Sequence, residues 1–465
     1  MAKTEFYFYD LETTGLDPKV DRIVQFAGIR TDENFEQIGD EFECYVRLSE
    51  EVIPSPWAVT TNGTTPQKTV EEGYTEAEFL RVVMPEICRP NTVILGFNTI
   101  GFDDQFMRYT LYRNFYDPYA WQYEDGRSRW DLMDVVRMVR ALRPDGINWP
   151  TRDDGTESNR LEHLTTANSI PHEDAHDALG DVRVTIAVAK LLKTHQPKMF
   201  DYLFTHRTKD EVSKLVNLRK PQPLVYTSLA GTTVILPLSA DTSSDSAGVL
   251  AYNLKVDPNT LVDLDDTTFE EQVFHLSRTP PRPSATVRFK LNACPALAPV
   301  GVLDAEAEKR IGLSIPQIEE RLASLRDSKG LIERIVSFHR EKPTYTTSDV
   351  DGQLYDHLID NSQQPLMRKV READAQGISK LDLSFTDARL KELLPRYKAR
   401  NYPKSLDEQE RSQWERYRAE RIAASLPRFS KDLAAAISKA GHDEEKIFLL
   451  QELQLWVESI MPVAD

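Results

Sequence analysis

Cysteine is nearly missing from this chain: Cys44, Cys88 and Cys294 are the only three among 465 residues. Their scatter offers neither a disulfide framework nor the paired spacing of a zinc site, which points to a reducing cytosol. Long apolar runs are also absent. No stretch approaches the length of a membrane span, and MAKTEFYFYD passes straight into a strand-like segment without a signal-peptide pattern. Positive charge is in short supply, with 57 Lys and Arg against 74 Asp and Glu for a net −17. That balance argues against a protein that coats nucleic acid nonspecifically. There is no internal repeat, and SADTSSDSAG is the one low-complexity patch.

What is present describes a soluble globular protein, 40% hydrophobic and 28% charged. A prior of roughly 150 residues per domain gives about three domains. Charge is also uneven along the chain. Between Gln105 and Arg143 seven arginines meet five acids, and between His206 and Lys220 five basic residues meet two acidic ones. A groove of locally positive sign is therefore compatible with an acidic whole.

The first two hundred residues alternate strand and helix signals. EFYFYD, IVQFAGIRTD, EFECYVRL and NTVILGFN read as strands. TEAEFLRVVMPEI, FDDQFMRYTLYRNF, RWDLMDVVRMVRAL, RLEHLTTANSI and HDALGDVRVTIAVAKLLKTH have helical spacing. A mixed sheet flanked by helices is the economical architecture, so residues 1–196 form an α/β domain. From about Pro197 short strands (VYTSLAG, TTVILPLS, GVLAYNLKV, ATVRFKLNA) lead into the helical stretch SIPQIEERLASLRDSKGLIERIVSFHRE, giving a β-rich second domain over 197–348. EKPTYTTSDVDG is the expected linker, and 349–465 carries Leu, Lys, Glu and Arg at the spacing of a helical third domain.

Three short motifs carry chemistry. In FYFYDLETTG, Asp10 and Glu12 are two apart at the end of a strand, so both carboxylates share a face. Two anions held that close are tolerable only with a cation between them. Asp103 in NTIGFDDQF follows a strand and opens a helix, an edge where sites collect, with Asp104 beside it expected to cap the helix. The third motif, HEDAHDALGD, packs two histidines and four carboxylates into residues 172–181. Asp174 or Asp177 suits a cap, but His176 is poorly placed near a helix N-terminus unless something else wants it. Within one helix His176 and Asp181 would lie about 140° apart, so His176 fits a loop or first turn above Asp181. His172 is expected at the surface or as a cap.

In the order D-x-E, N-x-x-x-F-D and H-x-x-x-x-D, these motifs resemble the DEDD exonuclease superfamily, in the subgroup with histidine in its last motif. The likeness sharpens in LYRNFYDPYAW, SRWDLMDV, ALRPDGINWP, RLEHLTTAN, AHDALGDV, FDYLFTHR and RYKARNYP, which are similar to the bacterial exonuclease I family. That resemblance implies an RNase H-like nuclease domain, an SH3-like domain and a helical domain. It also implies a monomeric, cytoplasmic enzyme that degrades single-stranded DNA 3′→5′ to 5′-mononucleotides in DNA repair and recombination.

By the same resemblance Asp10, Glu12, Asp103 and Asp181 would ligate two Mg²⁺ ions, with Mn²⁺ as a substitute, and His176 would be the general base. Arg108, Tyr119, Tyr123, Arg137, Arg160 and Lys209, together with Glu12, are the candidate substrate contacts, since arginine grips phosphate and an aromatic ring stacks on any base. Tyr112, Phe115 and Trp121 are assigned to the core. Arg143 and Tyr202 match family positions that engage the acidic tail of single-stranded DNA-binding protein. Three other readings share parts of this pattern: an RNA-trimming DEDD exoribonuclease, a non-catalytic single-strand binding protein on the same fold, and a small-nucleotide phosphodiesterase.

Overall fold

The first strand, β1 (Glu5–Thr13), buries Phe6, Tyr7, Phe8, Tyr9 and Leu11. A strand apolar on both faces must lie inside a sheet and be covered on both sides. It pairs antiparallel with β2 (Ile23–Thr31), itself buried throughout, and parallel with β4 (Thr92–Gly96). β3 (Phe42–Tyr45) adds to β2, so the order β3-β2-β1-β4 makes a mixed sheet. The computed structural model describes residues 4–172, 177–241, 248–274, 277–278, 281–328, 330–340, 349–381 and 383–462. Contacts divide the chain into two compact units, Met1–Ser128 with His172–Ile186 and Tyr345–Asp465, and Arg129–Pro171 with Ala187–Thr344.

In the first unit, helices α1 (Glu76–Ile87) and α2 (Asp103–Arg113) cover the sheet. Phe79, Leu80, Val83 and Ile87 of α1 and Phe106, Met107 and Leu111 of α2 share one core with Tyr7, Tyr9, Phe26 and Ile94. Each such side chain contributes about 1.5–3 kcal/mol by leaving water. Thr75 and Glu78 close a capping box that fixes the start of α1. Tyr112 and Phe115 are buried with Leu390, Leu393 and Tyr397, and Trp121 with the sheet, as expected for core residues. The C-terminal part is helical, in segments Gln364–Glu372, Ala388–Asn401, Glu408–Ala440 and Glu444–Ile460.

The second unit holds a five-stranded antiparallel sheet in the order Thr286–Lys290, Gly248–Asn253, Gly231–Asp241, Leu224–Ser228, Leu297–Pro299. Its core includes Val225-flanking residues Leu224 and Tyr226 with Ile235, Val249 and Phe289, against Val212 and Val216. Helices Ile315–Asp327 and Leu331–Arg340 occupy the stretch read as helical.

Two local expectations change. RWDLMDVVRMVRAL is not one helix: Ser128–Asp131 is a strand, and the helix starts at Leu132 with the Asp131 carboxylate accepting from the Met133 amide. The expected linker EKPTYTTSDVDG falls mostly outside the described residues. Among the described residues no helix is long and apolar enough to cross a membrane.

Candidate active site

The pairing register explains why the carboxylates gather at one end of β1. Parallel pairing with β4 ends at Phe8↔Leu95, so Asp10 and Glu12 stand past the last paired residue of that neighbour. Period-2 geometry turns both to one face, and a bulge follows Glu12. After β4 the chain turns through Asn98, which has a left-handed φ of 69°, into α2, whose first residue is Asp103. Asp103 is buried, and its Oδ1 accepts the Leu11 amide at 3.1 Å, between the two β1 carboxylates in sequence.

Asp181 arrives on α3 (Ala178–His195). The cap of that helix is Asp177: its Oδ2 accepts the Gly180 amide at 3.1 Å, and its backbone oxygen accepts the Asp181 amide at 2.9 Å. Asp174 and His176 lie outside the described residues.

Ligand oxygens of Asp10, Glu12 and Asp181 all lie within 4.8 Å of one another. Burial, and then the charges of Asp103, Asp181 and Asp177, holds Asp10 well above the usual carboxylate range. Burial, then Asp10 and Asp181, pushes Glu12 up to about 9, opposed by a hydrogen bond from Asn62. The charges acting on both are negative, so the cluster carries its full charge only when a cation is supplied. An all-oxygen donor set of this kind suits a hard divalent ion, and the chemistry of the residues present fits one.

Two expectations are corrected here. His172 is neither at the surface nor a cap. Its side chain is 7% exposed, and Nε2 lies 2.7 Å from Asp181 Oδ1. Asp104 does not serve as the helix cap, because it is the second residue of α2 and its carboxylate accepts Tyr9 Oη at 2.6 Å and Gln122 Nε2 at 3.3 Å. Sequence reading also passed over Gln25 and Asn62. Gln25 sits opposite Glu12 and donates to Asp177 Oδ1 at 2.8 Å, tying the α3 cap to the sheet. The signal was available: one amide in the otherwise apolar buried run IVQFAGI.

The proposed contact residues divide by unit. In the first, Arg108 lies 5.5 Å from the Tyr119 ring centre and donates to Gln122 Oε1 at 2.7 Å, extending the chain Tyr9–Asp104–Gln122. Tyr123 is 61% exposed, a large ring offered to solvent. In the second unit, Arg137 is mostly buried and paired with Asp134 at 2.7 Å. Arg160 is exposed with a 3.3 Å pair to Glu162, and Lys209 is exposed at the start of helix Lys209–Leu215. Arg143 pairs with Asp304 at 3.2 Å and donates to the Val302 carbonyl at 2.8 Å. Tyr202 stacks on His206 at 4.2 Å, its buried hydroxyl without a hydrogen-bond partner among the described residues.

With this geometry in hand, comparison with known proteins is direct. Residues 7–189 match the family model described as Exonuclease, 207–341 the Exonuclease I SH3-like domain, and 348–460 the Exonuclease I C-terminal domain. The chain is 39% identical to Exodeoxyribonuclease I of Escherichia coli over 99% of this chain and 98% of that one. It is 38% identical to the protein of that name from Haemophilus influenzae, over 96% and 97%. The solved E. coli exonuclease I in complex with a dA16 oligonucleotide superposes with a TM-score of 0.94 at 37% identity, covering 99% of this chain and all of that one. Zinc-bound E. coli ExoI–ssDNA and SSB/exonuclease I in complex with inhibitor CFAM match at 0.92 and 0.90, also at 37% identity.

Proposed function

The chain belongs to the bacterial exonuclease I family, and from that premise we propose how its residues work. It is a hydrolase, a single-strand-directed 3′→5′ exodeoxyribonuclease that depends on a divalent metal. In our reading the ions are two Mg²⁺, with Mn²⁺ as a substitute, held by Asp10, Glu12, Asp103 and Asp181. The observation that carries this is the gathering of three of those carboxylates within 4.8 Å at the overhanging end of β1.

Bound cations would lower the pKa of the attacking water and offset charge on the phosphoryl oxygens. The chain's own residues do the rest. Asp10 stands centrally, with Asp103, Asp181 and Asp177 all acting on it. Asp177, capping α3 and held by Gln25, fixes the helix start that presents Asp181. His176, the side chain that titrates near neutral pH, takes the proton from water. Glu12 is also assigned to the substrate, and Arg108, Tyr119, Tyr123, Arg137, Arg160 and Lys209 are assigned to phosphates and bases. Tyr123 has the strongest case, because an exposed ring stacks on any base for about 1–3 kcal/mol.

The products are 5′-mononucleotides, the setting is DNA repair and recombination in the cytoplasm, and the enzyme acts as a monomer. Single-stranded DNA is the substrate, and the acidic tail of single-stranded DNA-binding protein docks at Arg143 and Tyr202. Three expected domains, 1–196, 197–348 and 349–465, divide this labour.

The test is degradation of 3′- and 5′-end-labelled single-stranded DNA beside matched RNA and duplex, with Mg²⁺ and with EDTA. Stepwise loss from the 3′ end of DNA alone, stopped by EDTA, is the expected result. Equal or faster attack on RNA would keep the carboxylate cluster and move the protein to the trimming-RNase reading. Strand binding without hydrolysis would leave the non-catalytic one.

A further inference from the structure

The first unit also contains a cavity of about 490 Å³, lined by residues near β2 and α1 and by the C-terminal helices and by none of Asp10, Glu12, Asp103 and Asp181. Its size falls in the range of small-molecule sites, roughly 300–1,000 Å³. Its charge runs against that of the chain, which is −17 overall. The three carboxylates in its lining are already held by arginines: Glu76 by Arg113 at 2.9 Å, and Glu50 and Glu415 by Arg418 at 3.0 and 2.7 Å. Three lining cations, Arg47, Lys404 and Arg411, are exposed and form no ion pair among the described residues. Arg22 also lines the cavity. It is 2% exposed and already paired, with Asp351 at 2.8 Å, Glu51 at 3.5 Å and Glu76 at 3.8 Å, so the cations left for a ligand are the three exposed ones. Trp414 adds a half-buried indole to the lining, with the Arg400 guanidinium 5.8 Å from its ring centre.

We propose that this cavity binds a nucleoside monophosphate, with the phosphate among Arg47, Lys404 and Arg411 and the base against Trp414. A phosphate dianion answers unpaired cations better than a single carboxylate does, and guanidinium forks match its oxygens. A purine on an indole adds stacking that inorganic phosphate lacks. That the occupant is the enzyme's own product rests on the exonuclease reading; the binding itself does not.

Calorimetric titration of dAMP, deoxyadenosine and inorganic phosphate into the full-length protein in EDTA tests it. The expected result is one dAMP site, at least about tenfold tighter than for either fragment. K404E/R411E should weaken dAMP binding about tenfold or more with unchanged thermal melting, and W414A should weaken dAMP but not phosphate. Absence of dAMP binding overturns the proposal, as does equal affinity for dAMP and phosphate. Binding that survives K404E/R411E but is lost in D181N also overturns it, because the nucleotide then sits at the acidic cluster. A failed exonuclease reading would show separately, as wild-type protein that leaves labelled strands intact.

Discussion

Two groups of carboxylates in the same unit, one fully buried at Asp351 and Glu51 and one half-buried at the end of β1, have opposite fates. Around Asp351, Arg22 approaches at 2.8 Å, Arg400 at 2.5 Å and Arg396 at 3.4 Å, while Arg400 also holds Glu51 at 2.8 Å. Burial alone would raise both acids, yet Arg400 and Arg22 overcome it, leaving Asp351 well below the usual range and Glu51 at about 2. At the end of β1 the charges that add to burial all belong to further carboxylates, and Asp10 and Glu12 are driven up, Glu12 against the hydrogen bond from Asn62. The sign of the neighbour separates a structural charge cluster from one that must recruit its counter-charge from solution. The comparison also singles out the proposed metal-binding set without a motif, since it is the set on which the neighbouring charges are of the same sign.

Removing one acid from each group should break that comparison most sharply. Asp181→Ala should cut hydrolysis of single-stranded DNA by more than about a thousandfold while strand binding, read by fluorescence anisotropy, stays within a few-fold. Hydrolysis that persists would refute the ligand assignment. Addition of Mg²⁺ should raise the melting temperature of the wild type and do so less in this variant, because ligands that bind only the folded state stabilise it. Asp351→Ala should do the reverse. It strands several buried arginines, so urea denaturation should show a loss of about 3–5 kcal/mol, with the Mg²⁺-induced shift retained.

The same contrast predicts an acid limit. Glu51 is ionised in the folded protein down to about 2 against an ordinary value of 4.5. Below 4.5 the unfolded chain binds a proton that the folded chain does not. Its contribution is therefore complete above about 4.5 and is lost as pH falls toward about 2. Melting temperature followed across that window should fall more steeply for wild type than for Glu51→Gln. Equal slopes would mean that other carboxylates govern the acid limb.

The legible parts of this molecule are those where chemistry is local. β1, β2, β4 and the helices at Glu76, Asp103 and Ala178 follow from apolar spacing and caps, and D-x-E and H-x-x-x-x-D are short enough to read in one glance. Part of what sequence reading missed has its cause in long-range partners. Asp104 sits where caps sit, but Tyr9, 95 residues earlier, claims it. The Asp351 cluster joins residues such as Arg22 and Asp351, 329 positions apart, and no window of sequence shows that. Strand Ser128–Asp131 was hidden because its last residue doubles as a helix cap, which lends the whole stretch a helical start.

His172 offers the finest test, because it gives the acidic group something the Asp351 group has in abundance: a donor on a carboxylate. Its Nε2 at 2.7 Å fixes one oxygen of Asp181 and so orients the other. Hydrogen bonds behind a ligand of this kind are worth about 10–100-fold in metal affinity or activity. His172→Ala should raise the Mg²⁺ concentration needed for half-maximal rate by about that factor, with calorimetry showing the same loss without DNA, and His172→Asn should recover part of it. If the loss appears instead in the rate at saturating Mg²⁺, His172 belongs to the proton path beside His176 rather than to the clamp on Asp181. If neither quantity moves, the carboxylate is oriented well enough by its place in the first turn of α3, and the cap at Asp177 with its tether to Gln25 carries the whole task of presenting it.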